Sequence, residues 1–422
     1  MTDDKQFTDK LAEAFGRLRA YCEAEDYRGW DPYDGLNSKV FKAIPLVGRS
    51  AICRLVWIQL FKRCPWNMRR ALLVPKQHNA KGIGLFLQGY CDLWHIVDGL
   101  EKAGDPASAE NAEVAALAAQ FGTKADIEKK INYLGDLLLT MRAEGFSGSA
   151  WGYNFPWQCR REFLFPAGEP TVVATQFCAW ALLDAAAITG RTDLHDAAVS
   201  AADFVLSDLH RTPHRGGQII SYSRMQGNDT IYNASLLGSR LLARVWKETG
   251  RQDCLDLARQ SVEACCAEQR QDGSWTYGLK AVTGWIDSFH TGYNLDGLIA
   301  YQQLTGDTRF ADNISRGAEY YVENFFTPDG VPKYYNNSMY PIDIHCTGQL
   351  PVTLSRLGLY DRHKPLVHKV MSWAIDNMQD PKGYFYYQLK RGKSSHISYM
   401  RWSNAFMFAS MAAALRSELC GK

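Results

Sequence analysis

Two histidines and an aspartate stand at equivalent positions of a sequence repeat. Five segments each open with polar or aromatic residues, carry one amide and run into an apolar helical pattern: VVATQ, DTIYN, HTGYN, IHCTGQ and MRWSN. Their amides lie 57, 61, 55 and 55 residues apart. Alignment on the amides places one residue of each segment at the same position: Val172, Asp229, His290, His345 and Met400. A fixed period of this length is typical of repeat architectures, so we expect these side chains to meet on one ring.

Histidine is suited to proton transfer because its ordinary pKa lies near neutral pH. We predict that His290 and His345 are the acid and base of such a reaction. Tyr293 or Tyr335 would supply the second proton.

Charged side chains accompany the two histidines in the sequence. Arg401, with Arg224 as its partner, would face a substrate carboxylate, because the guanidinium fork matches carboxylate geometry. Asp287 and Asp343 each precede one histidine by two or three residues and could orient it. Alternatively, these two aspartates and Asp229 supply the carboxyl pair of a glycoside hydrolase.

Further residues of these segments suit a sugar ligand. Aromatic faces stack on the C–H faces of sugar rings, and amides pair with the hydroxyls. The remaining candidates for substrate binding are Tyr222, Asn233, Trp285, Asn294, Lys333, Tyr334, Gln349, Tyr384 and Trp402. Structural roles compete, because aspartates cap helices, amides satisfy buried backbone groups and single buried histidines are often structural. Two histidines at equivalent repeat positions favour function.

Each repeat is predicted to contain two helices. The first ends at a glycine followed by a polar turn, as at Gly190, Gly250 and Gly306, which is a C-cap signal. A second amphipathic helix follows, for example over residues 194–209 and 310–325. First helices are predicted near residues 82, 171, 229, 289, 344 and 400. With one helix from the first 75 residues, the pattern predicts an all-α (α/α)6 toroid, two concentric rings of helices with very little strand.

Composition limits the class of protein. The chain has 422 residues, of which 46% are hydrophobic, enough for one large domain. We predict a helical extension over residues 1–80, packed on a toroid over 81–422. The net charge of +2 gives no overall attraction to nucleic acid. An acidic N-terminus and eleven cysteines without a CxxC pair or metal-ligand spacing predict a cytoplasmic protein with free thiols and no metal or other cofactor.

The segment 39–81 departs from the rest of the chain. It contains ten Lys or Arg residues and no Asp or Glu, interleaved with Trp57, Phe61 and Trp66. Such a segment is either a solvated surface or a surface that rests on anionic lipid or an acidic polymer. For the second interpretation, the predicted cations at the inner leaflet of the membrane are Arg49, Arg54, Lys62, Arg63, Arg69 and Arg70.

Several strings in register resemble one family. SYSRMQGNDTIYNASLLG, QDGSWTYG, WIDSFHTGYNLDGL, DGVPKYYNNSMYPIDIH, GYFYYQ and YMRWSNAFMF, with DPYDGLNS near the start, resemble the VpsJ-type proteins of bacterial exopolysaccharide and lipopolysaccharide gene clusters. QDGSW also resembles the loop motif of terpene cyclase and prenyltransferase toroids. The resemblance implies a cytosolic toroid that acts on a surface polysaccharide or its lipid-linked oligosaccharide precursor. It implies no particular reaction.

Three functions fit these residues. The first is proton abstraction from a uronate sugar, as in a polysaccharide lyase or C5-epimerase, which the richness in His, Tyr and Arg favours. The second is glycoside hydrolysis or transfer by an aspartate pair. The third is a non-catalytic glycan-binding component of an assembly complex.

Overall fold

The fold is built from helices that follow one another in pairs. A computed structural model describes residues 3–103, 119–159 and 163–421. Its helices are α1 (Asp3–Ala24), α2 (Lys39–Ala43), α3 (Ala51–Arg63), α4 (Ala80–Ala103), α5 (Lys124–Thr140), α6 (Val172–Thr189), α7 (Thr192–Asp203), α8 (Tyr232–Thr249), α9 (Gln252–Cys266), α10 (Ser288–Thr305), α11 (Ala311–Phe325), α12 (Ile344–Arg356), α13 (Lys364–Met378) and α14 (Phe406–Cys420). A π-helical turn, Met400–Ala405, leads into α14.

The inner ring consists of α4, α6, α8, α10, α12 and α14. Each of these helices contacts the next, and α14 contacts α4, so the ring closes. The outer helices α5, α7, α9, α11 and α13 pack on the inner helices that precede them in the chain. The predicted all-α (α/α)6 toroid is therefore confirmed.

The first helix completes the outer ring. α1 packs on the inner helix α14 and on the outer helix α13, and its Phe15 reaches Phe121. Phe15 and Leu18 of α1 are fully buried in the core that all twelve ring helices share. Part of the first 80 residues therefore belongs to the toroid itself.

Glycines end the inner helices where the sequence predicts them. Gly190, Gly250 and Gly306 have φ values of 71°, 73° and 75°, in the left-handed region where a side chain is unfavourable. Another left-handed glycine, Gly273, lies in the QDGSW turn from an outer to an inner helix. A β-carbon there would lie 2.3 Å from the carbonyl oxygen of Arg316 on α11, so only glycine fits.

Short strands occur only in loops of the described residues. They are β1 (Trp157–Cys159), β2 (Phe163–Phe165), β3 (Arg211–His214), β4 (Gly217–Ile220), β5 (Ile342–Asp343), β6 (Tyr386–Leu389) and β7 (Ser395–Ser398). The antiparallel pairs are β1 with β2, β3 with β4, β5 with β6, and β6 with β7. The last sheet brings the loop after α13 beside the start of α12.

One inner helix has the length and apolar composition of a membrane span. This helix, α6, is mostly buried within the protein. It contacts α4, α7 and α8 in the ring. Its apolar character is accounted for by its place in the core.

Candidate active site

The two histidines are placed by matching helix caps. Asp287 precedes α10 and accepts a hydrogen bond from the backbone N–H of His290 at 3.0 Å. Asp343 precedes α12 and accepts from the backbone N–H of His345 at 3.0 Å. A side-chain cap fixes where a helix begins. Both histidines therefore lie in the first turn of neighbouring inner helices, as the repeat predicts.

His290 forms a side-chain pair with the aspartate that caps its helix. Its Nδ1 lies 2.7 Å from Asp287 Oδ2, and the same oxygen accepts the indole N–H of Trp285 at 2.9 Å. The aspartate side chain is fully buried, whereas 20% of the His290 side chain is exposed. No described residue bonds to His290 Nε2. A carboxylate on one ring nitrogen and an open second nitrogen is the arrangement of an oriented general base.

His345 belongs to a buried hydrogen-bonded chain. Its Nε2 lies 2.7 Å from the Tyr293 hydroxyl, which in turn lies 3.3 Å from Lys81 Nζ. Burial, followed by the nearby charges of Lys81 and Arg401, holds the pKa of His345 well below its usual range. The imidazole is therefore neutral, and its Nε2 shares a hydrogen bond with the Tyr293 hydroxyl. Its Nδ1 is buried without a hydrogen-bond partner among the described residues.

Lys81, at the end of this series of hydrogen bonds, lies in a cage of aromatic rings. Its ammonium group is 4.2 Å from the centre of the Phe177 ring and 4.9 Å from those of Tyr293 and Phe406. Burial and the charge of Arg401 hold the pKa of Lys81 well below its usual range, while the aromatic faces favour its charged form. Lys81 was not among the residues predicted for the site. The sequence signal that could have identified it is a lysine in the otherwise apolar first turn of an inner helix.

Asp343 is saturated with donors. Beside the backbone N–H of His345, it accepts Gln388 Nε2 at 2.6 Å and Trp402 Nε1 at 2.9 Å. Burial raises the pKa of this carboxyl to about 6. Because both oxygens already accept hydrogen bonds, Asp343 is placed to position Trp402, whose ring centre lies 5.0 Å from that of His345.

The two predicted carboxylate-binding arginines are already paired. Arg401 donates to both oxygens of Asp31, at 2.6 and 2.9 Å, in a buried ion pair. Arg224 pairs with Glu169 at 3.0 Å and is half exposed. The expectation that either guanidinium stands open to a substrate is thus corrected. The Asp31 partner lies 370 residues from Arg401, too far for local sequence patterns to reveal.

Asp229 does not join the ring of helix starts, contrary to the repeat alignment. α8 begins at Tyr232, three residues later, because the preceding loop first pairs Ile231 with Gly278. The Asp229 carboxylate instead accepts the Thr212 hydroxyl at 3.2 Å, and its side chain is 38% exposed.

The other predicted residues divide between this site and its surroundings. Asn233, Asn294 and His290 line one small crevice, and both asparagine Oδ1 atoms are buried without partners in the described structure. The Tyr334 ring packs 5.5 Å from Phe289 and 4.5 Å from Tyr335.

Four predicted residues make contacts away from the histidines. Lys333 donates to the Asn336 carbonyl, Tyr222 bonds to Tyr153, Gln349 donates to Asp296 and Thr353, and Tyr384 packs on Tyr21 of the outer helix α1.

Residues of the N-terminal segment complete the site. Asp31 binds Arg401, and the Tyr33 ring lies 5.7 Å from that of Trp402. Lys62 of α3 donates to the Tyr33 hydroxyl at 2.7 Å. The sequence does not place these residues at the site, because they reach the inner-helix starts only through tertiary packing.

No family model and no curated protein matches this chain, so the VpsJ-type resemblance stays a prediction. Solved structures do share its fold. A cellobiose 2-epimerase from Bacillus thermoamylovorans has a TM-score of 0.58 at 11% identity, with 80% of this chain and 89% of that chain covered. A GH76 α-mannanase from Bacteroides thetaiotaomicron has 0.56 at 12%, covering 81% and 87%. An unsaturated glucuronyl hydrolase specific for heparin has 0.56 at 11%, covering 99% of both chains. At these identities the likeness shows the fold alone.

Proposed function

We propose that this protein is a carbohydrate-active enzyme that transfers protons on a uronate sugar at the end of the toroid where the inner helices begin. The Asp287–His290 pair carries the proposal, because it presents an open, oriented imidazole nitrogen. The structures of similar fold include an epimerase, a mannanase and a glucuronyl hydrolase, which supports a glycan substrate.

In this reaction His290 Nε2 takes the proton from C5 of the uronate. Asp287 stabilises the imidazolium that forms. In a lyase, the C5–H electrons form a C4=C5 double bond, the C4–O bond breaks and the leaving oxygen takes a proton. In an epimerase, C5 regains a proton on its other face. Tyr293 is the assigned proton donor, since its ring centre lies 6.0 Å from that of His290 and its hydroxyl is linked to Lys81 and His345.

The substrate carboxylate needs a cation other than the two paired arginines. We assign Lys62, which donates to the Tyr33 hydroxyl and has no ion-pair partner among the described residues. Burial lowers the pKa of Lys62, but Tyr33 and the Asp343 carboxylate outweigh burial and raise it overall. The ammonium group therefore remains charged at neutral pH.

Hydrolysis by an aspartate pair is less well supported. Both carboxylate oxygens of Asp287 and both of Asp343 already accept hydrogen bonds, and Asp229 lies outside the site. A general acid or nucleophile needs an oxygen that can reach the glycosidic bond.

The reaction class is tested by incubating the purified protein with uronate-containing polysaccharides in deuterated water. A lyase yields the ultraviolet absorbance of an unsaturated uronate, and an epimerase incorporates deuterium at C5, detected by nuclear magnetic resonance. New reducing ends without either signal would instead establish hydrolysis. Binding without turnover would support a non-catalytic assembly component.

We further propose that the protein meets the inner leaflet of the cytoplasmic membrane, where lipid-linked oligosaccharides are found. Seven of the eleven exposed large hydrophobic side chains of the described structure lie within residues 44–73. On α3, Ile52, Val56 and Leu60 are exposed at successive turns, which forms an apolar stripe. This placement rests on a cytoplasmic location, which is itself part of the proposal.

Exposed cations accompany this stripe. Arg49, Arg63 and Arg70 are exposed, and each can contribute on the order of 1 kcal/mol to binding anionic lipid. Three of the predicted lipid-facing cations have other contacts: Arg69 is buried against Asp34, Lys62 binds Tyr33, and Arg54 donates to Gln158 and to the Gly48 carbonyl. The proposed membrane-facing surface therefore contains fewer cations than the sequence predicts.

Replacing Ile52 and Val56 by Asp is expected to lower binding to anionic vesicles by about tenfold or more, because two apolar side chains no longer enter the lipid interface. Co-sedimentation with anionic and with neutral vesicles measures the effect. Val282→Asp is the matched control, since Val282 is 50% exposed in another loop. Equal recovery of the wild-type protein in both supernatants would leave only a solvated surface.

A further inference from the structure

A cavity of about 390 Å³ lies on the axis of the toroid. All six inner helices line it, from Gly84 on α4 to Arg416 on α14. It extends toward the helix C-termini, since Gln303 lines it near the end of α10 whereas His290 lies in the first turn. Thirteen residues of helix separate these two side chains, about 20 Å along the helix axis. The cavity therefore faces away from the histidines.

Four arginines line the cavity, and three of them have a carboxylate partner. The pairs are Arg244 with Asp184 at 3.2 Å, Arg416 with Asp92 at 2.9 Å, and Arg356 with Asp296. The side chains of these three arginines are 16% to 33% exposed, which marks the opening of the cavity to solvent.

The fourth arginine, Arg240, is buried without a counterion. Only 2% of the residue is exposed, and no described carboxylate lies within ion-pair distance of it. Its guanidinium lies 3.8 Å from the centre of the Trp180 ring, and its Nε has no hydrogen-bond partner in the described structure. Burial, together with the charge of Arg356, lowers the pKa of this guanidinium, and the nearby carboxylates of Asp296 and Asp184 offset only part of that effect.

An amide beside this guanidinium is also unsatisfied. Gln176 of α6 lines the same cavity and is fully buried. Neither its Nε2 nor its Oε1 has a hydrogen-bond partner among the described residues. Buried polar groups in native proteins are nearly always paired, so these two atoms are available to hydrogen-bond a molecule in the cavity.

We propose that the axial cavity is a binding site for a small organic oxyanion, with Arg240 as its counterion and Gln176 as a hydrogen-bonding partner. A planar guanidinium binds phosphate or carboxylate oxygens through two parallel hydrogen bonds. The volume suits a ligand of monosaccharide to nucleotide size. Apolar side chains such as Leu85, Ile299 and Val352 would contact its body.

This site is adjacent to the proposed glycan site and shares two aromatic side chains with it. Phe177 and Phe406 line the cavity, and the same two rings form the cage of Lys81. The oxyanion site requires no glycan chemistry at His290, so either proposal can fail without the other.

The site is tested by calorimetric titration and thermal denaturation of the whole protein at constant ionic strength. The probes are inorganic phosphate, glucose 1-phosphate and glucuronate, with glucose as the neutral control. At least one oxyanion is expected to bind and raise the melting temperature, while glucose does neither. Comparison of the phosphate probes with glucuronate identifies the anionic group. No binding by any of the three oxyanions would overturn the proposal.

Arg240→Met is expected to weaken oxyanion binding by about tenfold or more, because the charged hydrogen bonds are lost. Without ligand, its melting temperature should equal or exceed that of the wild type, because an unpaired buried charge is removed. Arg259→Met, on the exposed face of α9, is the matched control and should bind normally. Equal binding by wild type and Arg240→Met would refute the assignment. If Arg240→Met fails to fold, Arg240→Lys, which keeps the charge but loses the fork, must show the weakened binding.

Discussion

Replacement of His290 by Gln is expected to lower uronate turnover by about 10²- to 10⁴-fold, the usual loss when a general base is removed. The protein should still fold, because the side chain is partly exposed and its helix cap is formed by Asp287. Turnover of the uronate and thermal denaturation of the same preparation measure the two effects.

A histidine outside the site provides the control. His195→Gln, on the outer helix α7, removes a 41% exposed imidazole that also pairs with an aspartate, and should leave turnover unchanged. Full activity of His290→Gln would remove this histidine from the mechanism. Unfolding of that variant would indicate a structural role.

Asp287→Asn distinguishes positioning from direct chemistry. Loss of the carboxylate removes the charge that stabilises the imidazolium formed when His290 takes the substrate proton, so turnover of the uronate should fall. The asparagine can still accept the His290 N–H, so the helix cap should survive. Turnover equal to that of the wild type would show that Asp287 only caps α10.

Asp31→Asn is expected to lower the free energy of unfolding by about 3–5 kcal/mol, because it leaves the buried Arg401 guanidinium without a counterion. Arg401→Met should have an effect of similar size, since it leaves the Asp31 carboxylate unpaired. Denaturant unfolding monitored by circular dichroism measures both.

The double variant Asp31→Asn/Arg401→Met tests the origin of this cost. It should recover part of the lost stability, because neither buried charge remains. Asp193→Asn is the comparison, since its pair with Arg191 is largely exposed and should contribute less than about 1 kcal/mol. If Asp31→Asn lowered the free energy of unfolding by less than about 1 kcal/mol, Asp31 would not be the counterion that stabilises the buried Arg401 guanidinium.

The architecture was predictable because its signals are local. The apolar helix faces and the glycines at residues 190, 250 and 306 each act over a few residues. This local pattern recurs at the repeat spacing, and the structure has these features where the sequence predicts them. The position of His290 and His345 in the first turn of neighbouring inner helices was also predictable, because the repeat aligns them.

The rest of the site depends on contacts between distant parts of the chain. Asp31 and Arg401 are 370 residues apart, and Tyr293 and His345 are 52 residues apart. The predicted position of Asp229 was wrong because the bridge between Ile231 and Gly278 comes first, so that α8 begins only at Tyr232. Alignment on Asn233 cannot reveal a bridge of this kind. Sequence spacing located the helix starts, but tertiary packing determines which charged side chains remain available to a substrate.

The closure of the inner ring by α14 against α4 fixes the number of repeats. In an open solenoid each repeat contacts only its neighbours, so one can be lost or added at modest cost. In this closed ring, removal of one helical hairpin would leave two inner helices whose packing faces no longer meet. The side of the axial cavity would then be open to water. Evolution can therefore vary the loops of this protein freely, but it can change the repeat count only by rebuilding every helix contact around the circle.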